Sequence, residues 1–115
     1  MKNALIILVF VILTFIDAGA QKFDGLAENP PMGWNSWNCF ACNGINEQVI
    51  MGIADAMAES GMSDAGYEYI VIDDCWQIGR EEDGTIIADP EKFPSGIKAL
   101  ADYIHSKGLI IHSVE

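Results

Sequence analysis

Short β-prone runs alternate with amphipathic segments of helical period along most of this sequence, and this alternation restricts the fold to the α/β class. The β-prone runs begin near residues 33, 69 and 109. The second run, Tyr69–Ile72, and the third, Leu109–Val114, are largely apolar, which is typical of parallel strands covered on both faces. Their spacing is that of βαβ units with insertions in the loops.

Two segments between these runs have the apolar spacing of helices. The first covers about residues 46–60, with Asn46 placed to cap its start and Gly61 to end it. The second follows Ser95, whose side chain is expected to cap it, and ends before Gly108. The polar segment before Ser95 contains an Asp83-Gly84 turn between β-prone pieces, which is compatible with a small hairpin.

Two architectures share this order of elements, a (β/α)8 barrel and a doubly wound open sheet. No G-x-G-x-x-G motif follows the first strand, which disfavours a dinucleotide-binding sheet. A (β/α)8 barrel takes about 250 residues, and three parallel strands alone would leave both sheet edges open. We therefore expect these 115 residues to be the first part of a larger domain.

Residues 1–20 have the pattern of a signal peptide. Lys2 precedes an apolar run from Ala4 to Ile16, and small residues follow at 18–20. The run is too short to cross a hydrocarbon core of about 30 Å, so a membrane anchor is less favoured. We expect cleavage after Ala20, residues 21–115 as the mature part, and export through the secretory pathway (extracellular, periplasmic or lysosomal).

Charge narrows the range of partners. The net charge is −11 and Lys and Arg together number six, too few to build a basic stripe for nucleic acid or for an anionic membrane surface. A neutral or cationic ligand fits this balance better.

The three cysteines, Cys39, Cys42 and Cys75, predict one disulfide and one free thiol in an oxidising compartment. Cys39 and Cys42 form a C-x-x-C, which could indicate zinc or redox chemistry. His105 and His112 stand seven residues apart on different predicted elements, however, and do not supply a second ligand pair. A structural disulfide is favoured, with its pairing open, and no metal or other cofactor is expected.

Polar and aromatic residues collect where the first two predicted strands end. Asp73 and Asp74 follow the second strand, and Trp34 and Trp37 lie among amide and hydroxyl groups at the end of the first. Ligands of parallel α/β proteins sit at the carboxyl ends of strands. Carboxylates accept hydrogen bonds from sugar hydroxyls while indole packs against C–H faces, so the pattern predicts a carbohydrate site. Loop capping by the acids and core packing by the tryptophans are the alternatives.

Three segments, PPMGWNSWNCF, GYEYIVIDDCWQ and ADPEKFPSGIKALADYIHSKGL, together resemble the start of the α-galactosidases of glycoside hydrolase family 27. The resemblance covers nearly all of residues 26–110. It implies that the chain holds the first three βα units of a (β/α)8 catalytic barrel, followed in the family by a β-sandwich domain. It also implies hydrolysis of terminal α-linked galactose with retention of configuration, and an α-galactoside oligosaccharide or glycoconjugate as the partner.

The resemblance assigns roles to individual residues. Asp73 and Asp74 match the acids that bind galactose hydroxyls, at O4 and O6. Trp37 matches the tryptophan that packs against the sugar, with Trp34 in the pocket wall and Trp76 beside the acids.

The resemblance also implies a Cys42–Cys75 disulfide, which leaves Cys39 as the free thiol. In the family the nucleophile lies in a Lys-x-Asp motif on strand four and the acid/base on strand six. Both would lie beyond residue 115, so this chain is expected to be inactive alone. The ending IIHSVE departs from the family's Gly-Ile-Tyr-like strand, which favours a fragment or a truncated gene model.

Three other functions stay open at this point. The chain could be a secreted galactose-binding module without catalysis, or a redox module that uses Cys39 and Cys42. Within the same family, α-N-acetylgalactosaminidase is close, because the loop that distinguishes the two sugars is outside these residues. A homodimer is compatible with the full-length family.

Overall fold

A computed structural model describes residues 29–113 of the chain, so the predicted signal peptide at residues 1–20 lies outside the described residues. The elements in chain order are β1 (Gly33–Asn35), α1 (Trp37–Gly44), α2 (Glu47–Glu59), β2 (Tyr69–Ile72), β3 (Gln77–Arg80), β4 (Ile86–Ala88), α3 (Gly96–Ser106) and β5 (Ile110–Ser113). Within residues 29–113, no helix combines the length and apolar character needed to cross a membrane.

Strands β1, β2 and β5 form a parallel sheet in the order β1-β2-β5, which confirms the predicted α/β class. The register places Asn35 beside Val71 and Val71 beside His112. Strands β3 and β4 form a separate antiparallel hairpin, as the turn signal at residues 83–84 indicated.

One face of the parallel sheet carries the hydrophobic core. Ile70 and Ile72 of β2 are fully buried there, and α2 and α3 supply most of the residues packed over them. Burying a side chain of this size stabilises the fold by about 1.5–3 kcal/mol. The core residues are Ile45, Ile50, Ala54, Met57, Ile70, Ile72, Trp76, Phe93, Leu100, Ile104 and Leu109.

Helix α2 is formed as predicted. The Val49 amide donates to Oδ1 of Asn46 at 2.9 Å, which caps the helix, and Gly61 follows its end with a φ of +82°. The prediction that the Ser95 side chain caps a helix is wrong. Helix α3 does begin after Ser95, but the hydroxyl makes no cap and donates instead to Oε1 of Glu47 at 2.8 Å.

Helix α1 was not predicted from the sequence. The segment WNCFACNG lacks an apolar period, and its helix is interrupted at Ala41, where φ is 44° and ψ is −148°. Before it, Gly33 allows β1 to approach β2 closely, since a Cβ at Gly33 would overlap the carbonyl oxygen of Tyr69. The first strand and its following turn are thus fixed by close backbone contact rather than by side-chain periodicity.

Candidate functional site

The candidate site lies at the carboxyl ends of β1 and β2, where three hydrogen bonds hold Asp73. Its amide donates to Oγ of Ser36 at 2.9 Å, and Nδ2 of Asn35 donates to its Oδ2 at 2.7 Å. The amide of Asp74 donates to its Oδ1 at 2.8 Å. Ser36 is buried and its own amide donates to the carbonyl of Val71 at 3.1 Å. Asp73 is therefore fixed to both strands at once.

These contacts also determine the charge of Asp73. The Asn35 amide, and after it the backbone N–H of Asp74, lower the pKa of the Asp73 carboxyl from its ordinary value. The group is thus a carboxylate at neutral pH. Each carboxylate oxygen has a second lone pair, so Asp73 can still accept a hydrogen bond from a ligand hydroxyl.

Asp74 is exposed, and the chain turns directly after it. Cys75 has a φ of +73°, a left-handed conformation that is uncommon outside glycine, asparagine and aspartate. Successive residues of an extended strand point to opposite faces. The turn at Cys75 ends that alternation immediately after Asp73 and Asp74.

The two predicted tryptophans occupy different environments. Trp37 opens α1, is 44 % exposed, and donates its backbone N–H to Oδ1 of Asn35 at 2.8 Å. Trp34 is half-buried, packs against the core, and lies edge-to-face with Phe40 at 5.9 Å between ring centroids. The arrangement brings Trp37 and Asp73 together through Asn35. Trp34 packs against the hydrophobic core and also contributes to a neighbouring cavity.

A cavity of about 660 Å³ lies on the open face of the sheet. Trp34, Asn35, Val71 and His112 contribute to its wall, and the rest of the lining comes from residues 29–33, Gly66 and Tyr69. Neither Asp73 nor Asp74 lines it. Asn35 lines the cavity and also bonds to Asp73, so it connects the cavity wall to the acid pair.

The structure joins Cys42 to Cys75, with Cα atoms 5.1 Å apart, and leaves Cys39 as an exposed thiol. The predicted pairing is confirmed, and Cys42 is not available for a redox pair with Cys39. Nζ of Lys92 donates to the carbonyls of Cys42 at 3.0 Å and Cys75 at 2.8 Å, which ties the two bridged segments together a second time. In residues 29–113, no group of three or more His, Cys, Asp or Glu side chains is placed to hold a metal ion.

Trp76 was expected beside the acids. It is only 5 % exposed and belongs to the hydrophobic core. Conversely, the roles of Asn35, Ser36 and Lys92 were not predicted. The structural reason for the Asn35–Asp73 contact is the register, in which Asn35 of β1 pairs with Val71, two residues before Asp73.

Acids, amides and an exposed tryptophan at the strand ends of a parallel α/β sheet are typical of proteins that bind polar ligands at that edge. The family model for alpha galactosidase A matches residues 29–113. The chain belongs to this family.

Relatives and solved structures give the same result. The chain is 59 % identical over 102 residues to alpha-galactosidase A of Cellvibrio japonicus, covering 89 % of this chain and 25 % of the relative. It is 55 % identical over 111 residues to a probable alpha-galactosidase of Dictyostelium discoideum, covering 96 % of this chain and 28 % of the relative. The chain thus spans about a quarter of the length of the curated relatives it matches.

Among solved structures, alpha-galactosidase I from Mortierella vinacea superposes with a TM-score of 0.72 at 52 % identity, over 77 % of this chain and 22 % of that one. The Saccharomyces cerevisiae enzyme with raffinose gives a TM-score of 0.72 at 43 % identity, over 77 % of this chain and 20 % of that one. The parallel sheet and its helices therefore have the arrangement found in α-galactosidases.

Proposed function

We propose that this chain forms the galactose-binding edge of an α-galactosidase, which removes terminal non-reducing α-D-galactose from galactosides with retention of configuration. The observation that carries the proposal is the fixed carboxylate of Asp73, held between Asn35 and Asp74 with the exposed Trp37 tied to the same amide. Asp73 and Asp74 bind sugar hydroxyls, and Trp37 packs against the sugar ring. Trp34 contributes to the pocket wall.

Neither acid serves as nucleophile or acid/base. Retaining hydrolysis needs two carboxyl groups about 5–5.5 Å apart on either side of the anomeric carbon. Asp73 and Asp74 are adjacent in sequence at the end of one strand, and an amide of one bonds the carboxylate of the other. They therefore approach a ligand from the same side. The catalytic pair comes from strands four and six of the complete domain.

The rest of the catalytic domain completes the barrel that these residues begin. Residues 21–115 supply the first three βα units of a (β/α)8 catalytic barrel, and residues 1–20 are a signal peptide that directs export. The face of the sheet that carries Asn35, Val71 and His112 looks into the barrel. The coverage of 25 % and 28 % of two relatives supports this division of the domain. The partner is an α-galactoside oligosaccharide or glycoconjugate.

The test is to replace Asp73 and Asp74 by asparagine, one at a time, in the full-length protein. Each change removes the charge from a hydrogen-bond acceptor for a sugar hydroxyl, which is worth about 1.5–3 kcal/mol, so kcat/KM for an α-galactoside should fall roughly ten- to a hundredfold. Covalent labelling by a mechanism-based galactosyl fluoride should persist in both variants, since the nucleophile is intact.

Asp64→Asn is the matched control, because Asp64 is exposed and lies in the turn before β2. Its kcat/KM should equal that of the wild type. A label found by mass spectrometry on Asp73 or Asp74 would overturn the assignment of roles. Galactose binding without hydrolysis by the full-length protein would instead support a binding module.

A further inference from the structure

The side-chain amide of Asn35 connects the two ligand-facing residues of the site. We infer that Asn35 is a positioning residue, which locks the carboxylate of Asp73 and the start of the helix that carries Trp37 into one arrangement. The inference rests on the proposed galactose site and adds a residue to it. Asn35 itself contacts the sugar-binding residues rather than the sugar.

The chemistry of its two partners determines which way the Asn35 amide points. The backbone N–H of Trp37 can only donate, so the atom 2.8 Å away is the amide oxygen, Oδ1. The carboxylate of Asp73 can only accept, so the atom 2.7 Å from its Oδ2 is the amide nitrogen, Nδ2. A side chain with one acceptor and one donor is needed, and asparagine provides both on a short stem.

The position of Asn35 excludes a simple packing role. Asn35 is exposed and stands at the last position of β1, whereas the core lies on the opposite face with Ile70 and Ile72. Its two side-chain bonds reach residues that lie 38 and two positions further along the chain. These bonds link the end of β2 to the first turn of α1, which are the two elements that present Asp73 and Trp37.

Replacement by aspartate is the sharpest probe. Asn35→Asp keeps the shape and the acceptor for the Trp37 N–H, but it places a second carboxylate against Asp73 in place of the N–H donor. Like charges at this distance repel and raise the pKa of the pair. Asn35→Ala removes both bonds without adding charge. Asn43→Asp is the control, an exposed amide on α1 that receives the same charge change.

The experiment measures binding of D-galactose to the full-length protein by calorimetry between pH 4 and pH 8. Asn35→Asp should weaken binding about tenfold at neutral pH, the loss expected for one hydrogen bond to a charged group. It should also move the acidic limit of binding to higher pH, with Asn35→Ala between it and the wild type. Within residues 29–113, the titratable side chains near Asp73 on this side of the sheet are Tyr69, Asp74 and His112, and they are the same in all variants. The shift in Asn35→Ala therefore reports Asp73, and the larger shift in Asn35→Asp reports the coupled pair of carboxylates that the change creates.

Two outcomes would overturn the inference. One is an Asn35→Asp variant that binds galactose as Asn43→Asp does at every pH. The other is a crystal structure of Asn35→Ala in which Asp73 and Trp37 both keep their wild-type orientations. The crystal structure gives its answer whether or not galactose binds. A wild-type protein that fails to bind galactose would contradict the proposed function, while the structure of Asn35→Ala would still decide the role of Asn35.

Discussion

Glu47 is a buried carboxylate at the start of α2, with a relative exposure of 9 %. It accepts hydrogen bonds from the backbone N–H of Ser95 at 2.9 Å and from its hydroxyl at 2.8 Å. Its own amide donates to the carbonyl of Lys92 at 2.8 Å. A buried carboxylate is costly without such partners, and the positive end of the helix dipole favours it further. Glu47 therefore joins the starts of α2 and α3.

Replacing Glu47 by glutamine should destabilise the protein by about 1.5–3 kcal/mol, because the amide keeps the shape but accepts hydrogen bonds at one atom only and carries no charge. Urea unfolding measures this difference. Glu59→Gln is the matched control, since Glu59 is exposed at the other end of the same helix, and its effect should stay within about 0.5 kcal/mol.

The pairing with Ser95 can be isolated by a double-mutant cycle. Ser95→Ala removes the hydroxyl and leaves the backbone donor, so the cost of Glu47→Gln should be smaller in that background. Equal costs in both backgrounds would show that the Ser95 hydroxyl contributes nothing to the role of Glu47.

Residue roles were predictable where the chemistry is local. Asn46 as a cap follows from its position before an apolar period, and the location of Asp73 and Asp74 at a strand end follows from the apolar strand before them. The bonds of Glu47 to Ser95 and of Asn35 to Asp73 join residues 48 and 38 positions apart. Such pairs depend on the register of strands and helices, which a single sequence does not specify.

At the scale of elements, α2 and α3 are held together on their outer side by a charged cluster. The hydroxyl of Tyr103 donates to Asp55 at 2.7 Å, and Nζ of Lys107 lies 2.6 Å from the same carboxylate. Lys107 also stands over the Tyr103 ring at 4.9 Å. The bonds from Lys107 and then Tyr103 lower the pKa of Asp55, and the bond to Asp55 raises the pKa of Lys107.

The stability contributed by this cluster should depend on pH at both ends of the scale. The folded-state pKa of Asp55 lies below its unfolded value, so its contribution is complete above the unfolded pKa and is lost as the pH falls through the folded one. The folded-state pKa of Lys107 is raised, so its contribution is complete below the unfolded pKa and is lost as the pH rises through the folded one.

Asp55→Asn should remove both of these pH-dependent contributions to stability. Urea unfolding at a series of pH values measures them. At neutral pH the variant should be less stable than the wild type, with the difference shrinking in acid and in strong alkali. Asp64→Asn carries the same charge change away from the cluster and should follow the wild-type curve. Parallel curves for Asp55→Asn and the wild type would contradict the assignment.

Elements with a clear period were predicted, and the element without one was not. Helices α2 and α3 and strand β2 follow from their apolar spacing, and the β3–β4 hairpin from its Asp-Gly turn. Helix α1 has no apolar period of helical spacing. Its backbone is also irregular, because Ala41 interrupts it with non-helical dihedral angles. Its shape follows from the Cys42–Cys75 bridge and the contacts of Lys92, which are tertiary constraints.

At the scale of the molecule, the described sheet is covered by helices on one face only. Parallel sheets occur almost only with both faces covered. In residues 29–113 the second face carries Gly33, Tyr69 and Val71 around the 660 Å³ cavity. The quarter of the relatives' length that this chain spans is consistent with the proposal that further strands of the barrel complete this face.

The Cys42–Cys75 disulfide closes a segment of 33 residues that contains the whole of α2 and β2. Cross-linking a loop of this length restricts the unfolded chain and is worth about 3–4 kcal/mol in the chain-entropy model. Lys92 holds the same two segments by their carbonyls, so they stay docked when the bridge is absent. We therefore expect the bridge to act mainly on the unfolded state.

Replacing Cys42 and Cys75 together by serine should lower the free energy of unfolding by about that 3–4 kcal/mol and leave the native circular dichroism unchanged. Urea unfolding of the full-length protein under non-reducing conditions measures the loss. Cys39→Ser is the matched control and should have no effect, because Cys39 is an exposed thiol outside the bridge. Adding Lys92→Met to the double serine variant should disturb the native spectrum, since the bridge and the Lys92 bonds to the carbonyls of Cys42 and Cys75 are then both lost. Peptide mapping that finds Cys39 bonded to Cys75, or a reductant that leaves wild-type stability unchanged, would contradict this account of the bridge.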